Sequence, residues 1–482
     1  MLTGQNNENS SVSTSFSING SCHNDFIYVK NAFENNFKLG VECASQLCVY
    51  YEGNCVVDLS GCVQGNQTFG GQQFTLDDID IMKHTCEYDQ NSIQQIFSCT
   101  KNITSLCMCM CVDRGFIKFD DPVYKYWPEF SQNGKDKITL ADVLRHDSGL
   151  TLFSDFATKD IVENQLPGGL MSQLIENSKP NWNIYNTDID KHTGDFRRSY
   201  HGISRGFILQ QIIQRIDPHK RSIGQFIKDE IAIPLGLENS LFVGIPLDKQ
   251  KSGDIHIPPM ISYGSDTCEI EKLVPIFGEK ILHEKPWALP DPDSEPFKNA
   301  LIYNEEINWT TYVLQNMLAA DCGMVNSEWS KKVEIPSGNG FSNARTLGYI
   351  ASILANKGKL NNITLLSENI FNEAHDKVTT KFDQILLSQT HFSQGGFGKF
   401  FTKENQTYDS LFAGVNNRGI DDCFYGWSGA GGSIFIWSPN LNIGLSYTMT
   451  GMTNYRASHP RIMRIFNALF ESISDIKKNK DK

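Results

Sequence analysis

Apolar residues recur at helical spacing from Asp25 to Leu39, where Phe26, Val29, Phe33 and Phe37 share one face and predict an amphipathic helix. Two β-type runs come next, VECASQLCVYY and NCVVDLSGCV, and the turn cluster Glu52-Gly53-Asn54 between them predicts an antiparallel hairpin. Ahead of the helix, residues 1 to 17 are rich in Asn and Ser with almost no apolar period, the pattern of a disordered lead-in. After a polar stretch from Gln64 to Asn91, the segment SCTKNITSLCMCMCVDRG is apolar enough for a buried helix ending at Gly115.

Further on, ITLADVLRH, GGLMSQLIENS and SRGFILQQIIQRI alternate helical patterns with loops. A stretch carrying Pro275, Pro286, Pro290, Pro292 and Pro296 reads as irregular. NARTLGYIASILANKG predicts another amphipathic helix. GSIFIWS and NIGLSYTMTG flank Pro439-Asn440-Leu441-Asn442 as a second hairpin, and HPRIMRIFNALFESI closes the chain as a helix. Strands at both ends with helices between them predict an α/β chain of the α+β kind. The expected lobes are an antiparallel sheet flanked by helices, from residues 18–97 and 335–474, and a mostly helical lobe, 98–334, with an insertion at 264–330. Residues 475–482 read as a charged tail.

A chain of 482 residues exceeds what one hydrophobic core usually serves, in keeping with two lobes. Lys and Arg number 43 against 55 Asp and Glu, a net charge of −12 that disfavours nucleic acid as a partner. The N-terminus has neither a basic n-region nor an apolar h-region, and no run reaches the roughly 18 apolar residues of a membrane span. Thirteen cysteines, an odd number, fit a disulfide framework poorly, so a reducing, cytoplasmic setting is expected. The sequons at Asn66, Asn102, Asn308, Asn362 and Asn405 are read as unmodified surface residues.

The sharpest chemical signal is Ser98-Cys99-Thr100-Lys101 at the start of the buried helix. Residues three apart share a helical face, so the amine of Lys101 can reach the Ser98 hydroxyl. A serine becomes a useful nucleophile when a base takes its proton, and a lysine serves as that base when burial or nearby positive charge lowers its pKa. The helix N-terminus adds positive potential that also favours a developing oxyanion. The same spacing recurs at Ser474 and Lys477 in a charged segment where nothing desolvates the lysine, so spacing alone is weak.

Context strengthens it. DRGFIKFDDPVYKYWPEF, KITLADVLRHDSGLT, RRSYHGISRGFILQQIIQRIDPHKRSIGQFIKDEIAIPLGL and YGWSGAGGSIFIWSPNLNIGLSYTMTG occur in that order. The series resembles the serine β-lactamase-like family, the penicillin-recognising fold that includes class C β-lactamases, serine carboxypeptidases and family VIII esterases. The resemblance runs from about Phe26 to Met452 and looks closest to the esterase-like branch. It implies Ser98 as acyl-accepting nucleophile, Lys101 as its activating partner and Tyr200 as the phenol that shuttles protons. It also implies an oxyanion hole from the amides of Ser98 and Ala430, and substrate contacts from Trp427, Ser428 and Gly429, with His201 beside them. No metal or other cofactor is implied.

Two positions depart from the family pattern. Gly202 stands where lactamases and peptidases carry an Asn, and Trp427 stands where they carry a cation for the substrate carboxylate. Both losses favour neutral or apolar acyl esters, so the expected activity is that of a carboxylesterase-like serine hydrolase on a small-molecule ester. The alternatives are a non-catalytic binding or assembly protein, or a β-lactamase or D-Ala peptidase; no oligomeric state is implied. Gly426-Trp427-Ser428-Gly429-Ala430 nearly fits a G-x-S-x-G elbow, but the strand expected there comes after Ser428, where an elbow needs it before. Cys107, Cys109 and Cys111 alternate on a helix, do not share a face, and read as packing rather than metal ligands.

Overall fold

The computed structural model describes residues 15–64, 68–69, 72–73, 87–153, 159–180, 198–262, 325–383, 385–386, 388–403, 411–412, 414–452 and 460–480. The expected insertion, as far as residue 324, lies outside the described residues, as do Cys86, Asn66, Asn308 and Asn405.

Nine described strands build one antiparallel sheet. They are β1 (Ser15–Cys22), β2 (Ala44–Tyr51), β3 (Asn54–Gln64), β4 (Thr379–Asp383), β5 (Ser388–Phe392), β6 (Gly398–Phe401), β7 (Cys423–Ser428), β8 (Ile434–Ser438) and β9 (Ile443–Met449). Their spatial order is β1-β3-β2-β9-β8-β7-β6-β5-β4. Both hairpins read from the pattern form, and the two ends of the chain join where β2 pairs with β9, from Tyr51 against Ile443 to Ser45 against Met449. The described helices include α1 (Ile27–Lys38), α2 (Thr100–Asp113), α3 (Ser204–Ile216), α4 (Ala344–Ala355), α5 (Glu368–His375) and α6 (Pro460–Lys480).

Alternation along the central strands divides the apolar interior in two, because successive side chains point to opposite faces. On β8, Ile434 and Ile436 join a core with α1 and α6, whereas Phe435 and Trp437 join the core that holds α2, α3 and α4. The sheet is therefore buried on both faces, and α2 lies in the second core with every residue from Thr100 to Val112 buried. A helix apolar on one side only could not sit there.

Two expectations need correction and a third is extended. Residues 15–17 are not lead-in but the start of β1, which lies at the sheet edge; Phe16 and Ile18 alternate onto the core while Ser17 between them and Asn19 after them do not. The charged tail is helical as far as Lys480, whose ammonium lies 2.8 Å from Glu52 Oε1. Asn102 is no surface sequon: it is buried in α2 and donates from Nδ2 to the Phe435 carbonyl at 3.1 Å. The helical region also carries a small sheet, in which Gly340–Ser342 pairs with Gln94–Gln95 on one side and Leu241–Val243 on the other.

Among the described residues Cys22, Cys48, Cys55, Cys99, Cys107, Cys109, Cys111 and Cys423 are free thiols. Cys107, Cys109 and Cys111 are buried in the α2 core as packing residues, and burial pushes the Cys111 thiol up to about 12. No described helix is long and apolar enough to cross a membrane.

Candidate active site

Ser98 lies in a 3-10 turn, Phe97–Cys99, that runs directly into α2. Phe97 has φ +46°, a conformation that costs a bulky side chain on the order of 1–3 kcal/mol and persists only where neighbours enforce it. They do so here. The Ile96 amide donates to Gly340 O at 2.8 Å, the Gly340 amide to Thr100 Oγ at 2.8 Å, and Thr100 Oγ to Phe97 O at 2.5 Å. Polar side chains in the first turns of α2 thus fasten the helix start: Thr104 Oγ likewise donates to Pro336 O at 2.7 Å.

Lys101 Nζ is 3.2 Å from Ser98 Oγ and donates to Gly202 O at 2.7 Å and Ser337 O at 2.8 Å. Burial and, next, the Arg205 guanidinium push its pKa well below 10.5, against a smaller opposing effect of the Cys99 thiol. Two carbonyls can only accept, so a neutral amine keeps its two N–H bonds on Gly202 and Ser337. Its lone pair then faces the Ser98 hydroxyl, the arrangement a base requires. Arg205 is itself buried, with its guanidinium on the Lys101 carbonyl and the Ser105 hydroxyl. The Ser337 segment meets α3 closely: a Cβ on Gly206 would fall 2.4 Å from Ser337 N, and the Gly206 amide donates to Ser337 Oγ at 2.7 Å.

Tyr200 stands beside this pair, with Lys101 Nζ 4.8 Å from its ring centroid. Trp427 stacks on it at 5.6 Å and 21°, and the indole Nε1–H donates to Tyr200 Oη at 3.2 Å. Phe392 and Phe400 hold the indole from other sides. The backbone of the tyrosine loop is tied down at Asp383, whose Oδ1 accepts from the amides of Tyr200, Ile385 and Leu386. Next to it Arg198 pairs with the buried Asp147 at 2.8 Å and donates to Thr379 and Thr390, joining the loop to β4 and β5. Burial alone would raise the Asp147 pKa; Arg198 and Lys381 hold it below the usual range.

The end of β7 is stitched to the Ser98 turn. Ser433 Oγ donates to Ile96 O at 3.0 Å, and Cys99 Sγ contacts Trp427 O at 3.5 Å. Burial pushes the Cys99 thiol up to about 12, so it is inert packing at this join. Gly429 permits the approach: a Cβ there would lie 2.2 Å from Ser433 Oγ and 2.5 Å from Ile96 O. Gly429→Ala is expected to destabilise the fold by about 1–3 kcal/mol through this overpacking, visible as a lower urea midpoint. An unchanged midpoint would show that the join is looser than these distances imply.

Ser98, Lys101, Tyr200, Trp427, Gly429 and the turn bearing Ala430 therefore come together, whereas His201 does not. Its ring is fully buried, with Nδ1–H on Ser199 O at 2.5 Å and Nε2 accepting from Ser148 Oγ at 2.8 Å. Burial lowers its pKa to about 4, so the neutral ring serves the loop and not a substrate. Trp427 is not a bare indole face but a partner of the phenol. A strand does precede Ser428, its last residue, contrary to expectation; the turn leads into β8 and not into a helix, so a nucleophile elbow is still not built.

Sequence reasoning missed Arg205, Ser337 and Asp383. Ser337 and Asp383 are far in sequence from the residues they hold, and Ser337 acts through its backbone carbonyl, which leaves no mark in a motif. Among the described residues no group of three or more His, Cys, Asp or Glu is placed to hold a metal ion.

Comparison with known proteins addresses the family and the fold. The Beta-lactamase family model matches residues 46–470. The esterase/beta-lactamase LipL of Mycobacterium tuberculosis is 23% identical over 293 residues, 59% of this chain and 55% of LipL, so the chain spans about half of that relative. A penicillin-binding protein homolog from Caulobacter crescentus superposes with a TM-score of 0.67 at 23% identity, covering 95% of this chain and 100% of the homolog. A family VIII carboxylesterase gives 0.68 at 20% identity, with the same coverage of each chain. These two share the fold. With the family model spanning most of its length and the Ser98, Lys101 and Tyr200 cluster at the start of α2, the chain belongs to the beta-lactamase family.

Proposed function

We propose that the protein is a serine hydrolase that forms an acyl-enzyme on Ser98 and acts on small or apolar carboxylic esters. The observation that carries this reading is the buried Lys101 amine, tied to two carbonyls and facing the Ser98 hydroxyl at 3.2 Å. The Ser98 oxygen attacks the ester carbonyl carbon as its proton passes to Lys101 Nζ. The tetrahedral oxyanion is held by the amides of Ser98 and Ala430. Collapse expels the alcohol, protonated through Tyr200. Water then attacks the acyl-enzyme, gives its proton back through the same groups, and releases the acid. The indole N–H of Trp427 on Tyr200 Oη favours the phenol when it carries negative charge.

Esters are favoured over β-lactams because neither departure leaves a group for an amide or a carboxylate. Gly202 offers a carbonyl already engaged by Lys101, and Trp427 offers no charge. Leu152, Ile385 and Leu386 cluster around Tyr200 and Trp427 as an apolar wall. The name of LipL joins esterase and beta-lactamase and so supports a hydrolase of either kind, while a carboxylesterase among the structural relatives is in keeping with ester substrates. A panel of nitrophenyl acetate, butyrate and octanoate against nitrocefin tests it. We expect kcat/KM on the best ester to exceed that on nitrocefin by about 100-fold or more; nitrocefin turned over faster than every ester would overturn the substrate assignment.

A further inference from the structure

We propose that Arg461, on the first turn of α6, is a positioning residue for the Ala430 amide, acting through the Gly431 carbonyl. The inference rests on the acyl-enzyme reading above and adds a residue to it. The Arg461 side chain is fully buried, beneath the turn that joins β7 to β8. Its guanidinium donates to Gly431 O and, at 3.1 Å, to Gly451 O, and it meets Glu42 Oε2 at 3.5 Å. Glu42 is equally buried and accepts from Tyr447 Oη, while the guanidinium lies 5.7 Å from the Tyr447 ring centroid. The Arg461 backbone is fixed as well, because Asn36 Nδ2 on α1 donates to its carbonyl at 3.1 Å.

The turn rests on this cation. Its own hydrogen bonds, Gly429 N to Ser433 O at 2.8 Å and Gly432 N to Gly429 O at 3.1 Å, leave the Gly431 carbonyl to Arg461. Gly432 has φ +114°, and a Cβ on it would fall 2.7 Å from an Arg461 guanidinium nitrogen, so the chain lies directly against the charge. An ion pair removed from water is costly, and apolar residues of similar volume often stabilise as well or better. Stability alone is therefore a poor account of Arg461 and Glu42. The Gly431 carbonyl held by Arg461 shares its peptide plane with the Gly432 N–H, which donates to Gly429 O at 3.1 Å, and the Gly429 carbonyl shares its plane with the Ala430 N–H, so the cation's hold on the first peptide carries through that bond to the direction of the Ala430 N–H. An oxyanion donor displaced by about 1 Å loses much of its effect.

The test compares the parent with two double variants, Glu42→Gln with Arg461→Met and Glu42→Gln with Arg461→Gln. Both remove the two charges together, so neither strands a buried ion. The glutamine at position 461 keeps an N–H that can reach Gly431 O, and the methionine does not. On nitrophenyl butyrate the methionine variant is expected to lose at least about tenfold in kcat with KM within about twofold, and the glutamine variant to recover most of that loss. Equal kcat in the two variants, or parental kcat in the methionine one, would overturn the assignment. Should the methionine variant not fold, Gly432→Ala takes its place, with the same expected loss in kcat and the same contrary result. Fluorophosphonate labelling separates the two levels. No adduct on Ser98 in the parent brings down the acyl-enzyme reading and this inference with it, whereas an adduct formed at the parental rate in the methionine variant removes Arg461 alone.

Discussion

Ser98→Ala is expected to remain folded and to lose ester hydrolysis by about 10⁴-fold or more, the scale on which removing a nucleophile acts when the rest of the site stays in place. The hydroxyl gives up one contact to Lys101, whose bonds to Gly202 O and Ser337 O are untouched. Loss of a single side-chain hydrogen bond costs about 1 kcal/mol, so the melting temperature should move little. The measurement is kcat on nitrophenyl butyrate beside a thermal melt of the same preparation. Parental turnover by the variant would show that another group carries the chemistry.

Lys101→Met has the second largest expected effect, and its signature lies in pH. Removing the base should lower kcat by about 10²–10⁴-fold. In the parent, the rate should rise with pH as Lys101 loses its proton, reaching a plateau well below pH 10.5, because burial and Arg205 depress its pKa. The stability consequence has a definite sign. Between the lowered folded pKa and 10.5, the unfolded chain binds more protons at this residue than the folded one, so parental stability rises with pH across that window. Methionine has no such slope, and it leaves the Gly202 and Ser337 carbonyls without their donor, at about 1–3 kcal/mol each. The variant should therefore look most destabilised at high pH and least at low pH. Urea midpoints at pH 6 and pH 9.5 check this; a pH-independent difference together with retained turnover would contradict the assigned role.

Periodic burial made much of the fold legible. Phe33 and Phe37 on α1, the two hairpins, α4 and α6 all carry apolar positions whose spacing matches one buried face or two. The strands β4 to β6 were not read, because TTKFD buries only Asp383 and the others offer four or five residues each, too short for a pattern. β1 escaped because only one side of an edge strand is packed, and Phe16 and Ile18 are diluted by serines. In the site, Ser98 and Lys101 were legible as local geometry, three residues apart on one helix start. Tyr200 and the Trp427 segment were legible only through the order of motifs along the chain.

Long-range partners with no local signature stayed hidden. Arg205 is the second residue of α3, and its charge matters only because the fold brings it under Lys101. Ser337 contributes a carbonyl, which any residue has. His201 shows the opposite failure: adjacency to Tyr200 suggested a place in the site, yet successive residues in an extended loop face opposite ways, and its ring turned towards Ser148.

Whether Ser98 is an activated nucleophile is read most directly by mass spectrometry of the folded protein after exposure to a fluorophosphonate. One adduct is expected, on the peptide containing Ser98, absent in Ser98→Ala and formed far more slowly in Lys101→Met. A folded protein that takes up no adduct, or takes it up on the peptide containing Ser428 instead, would contradict this role for Ser98.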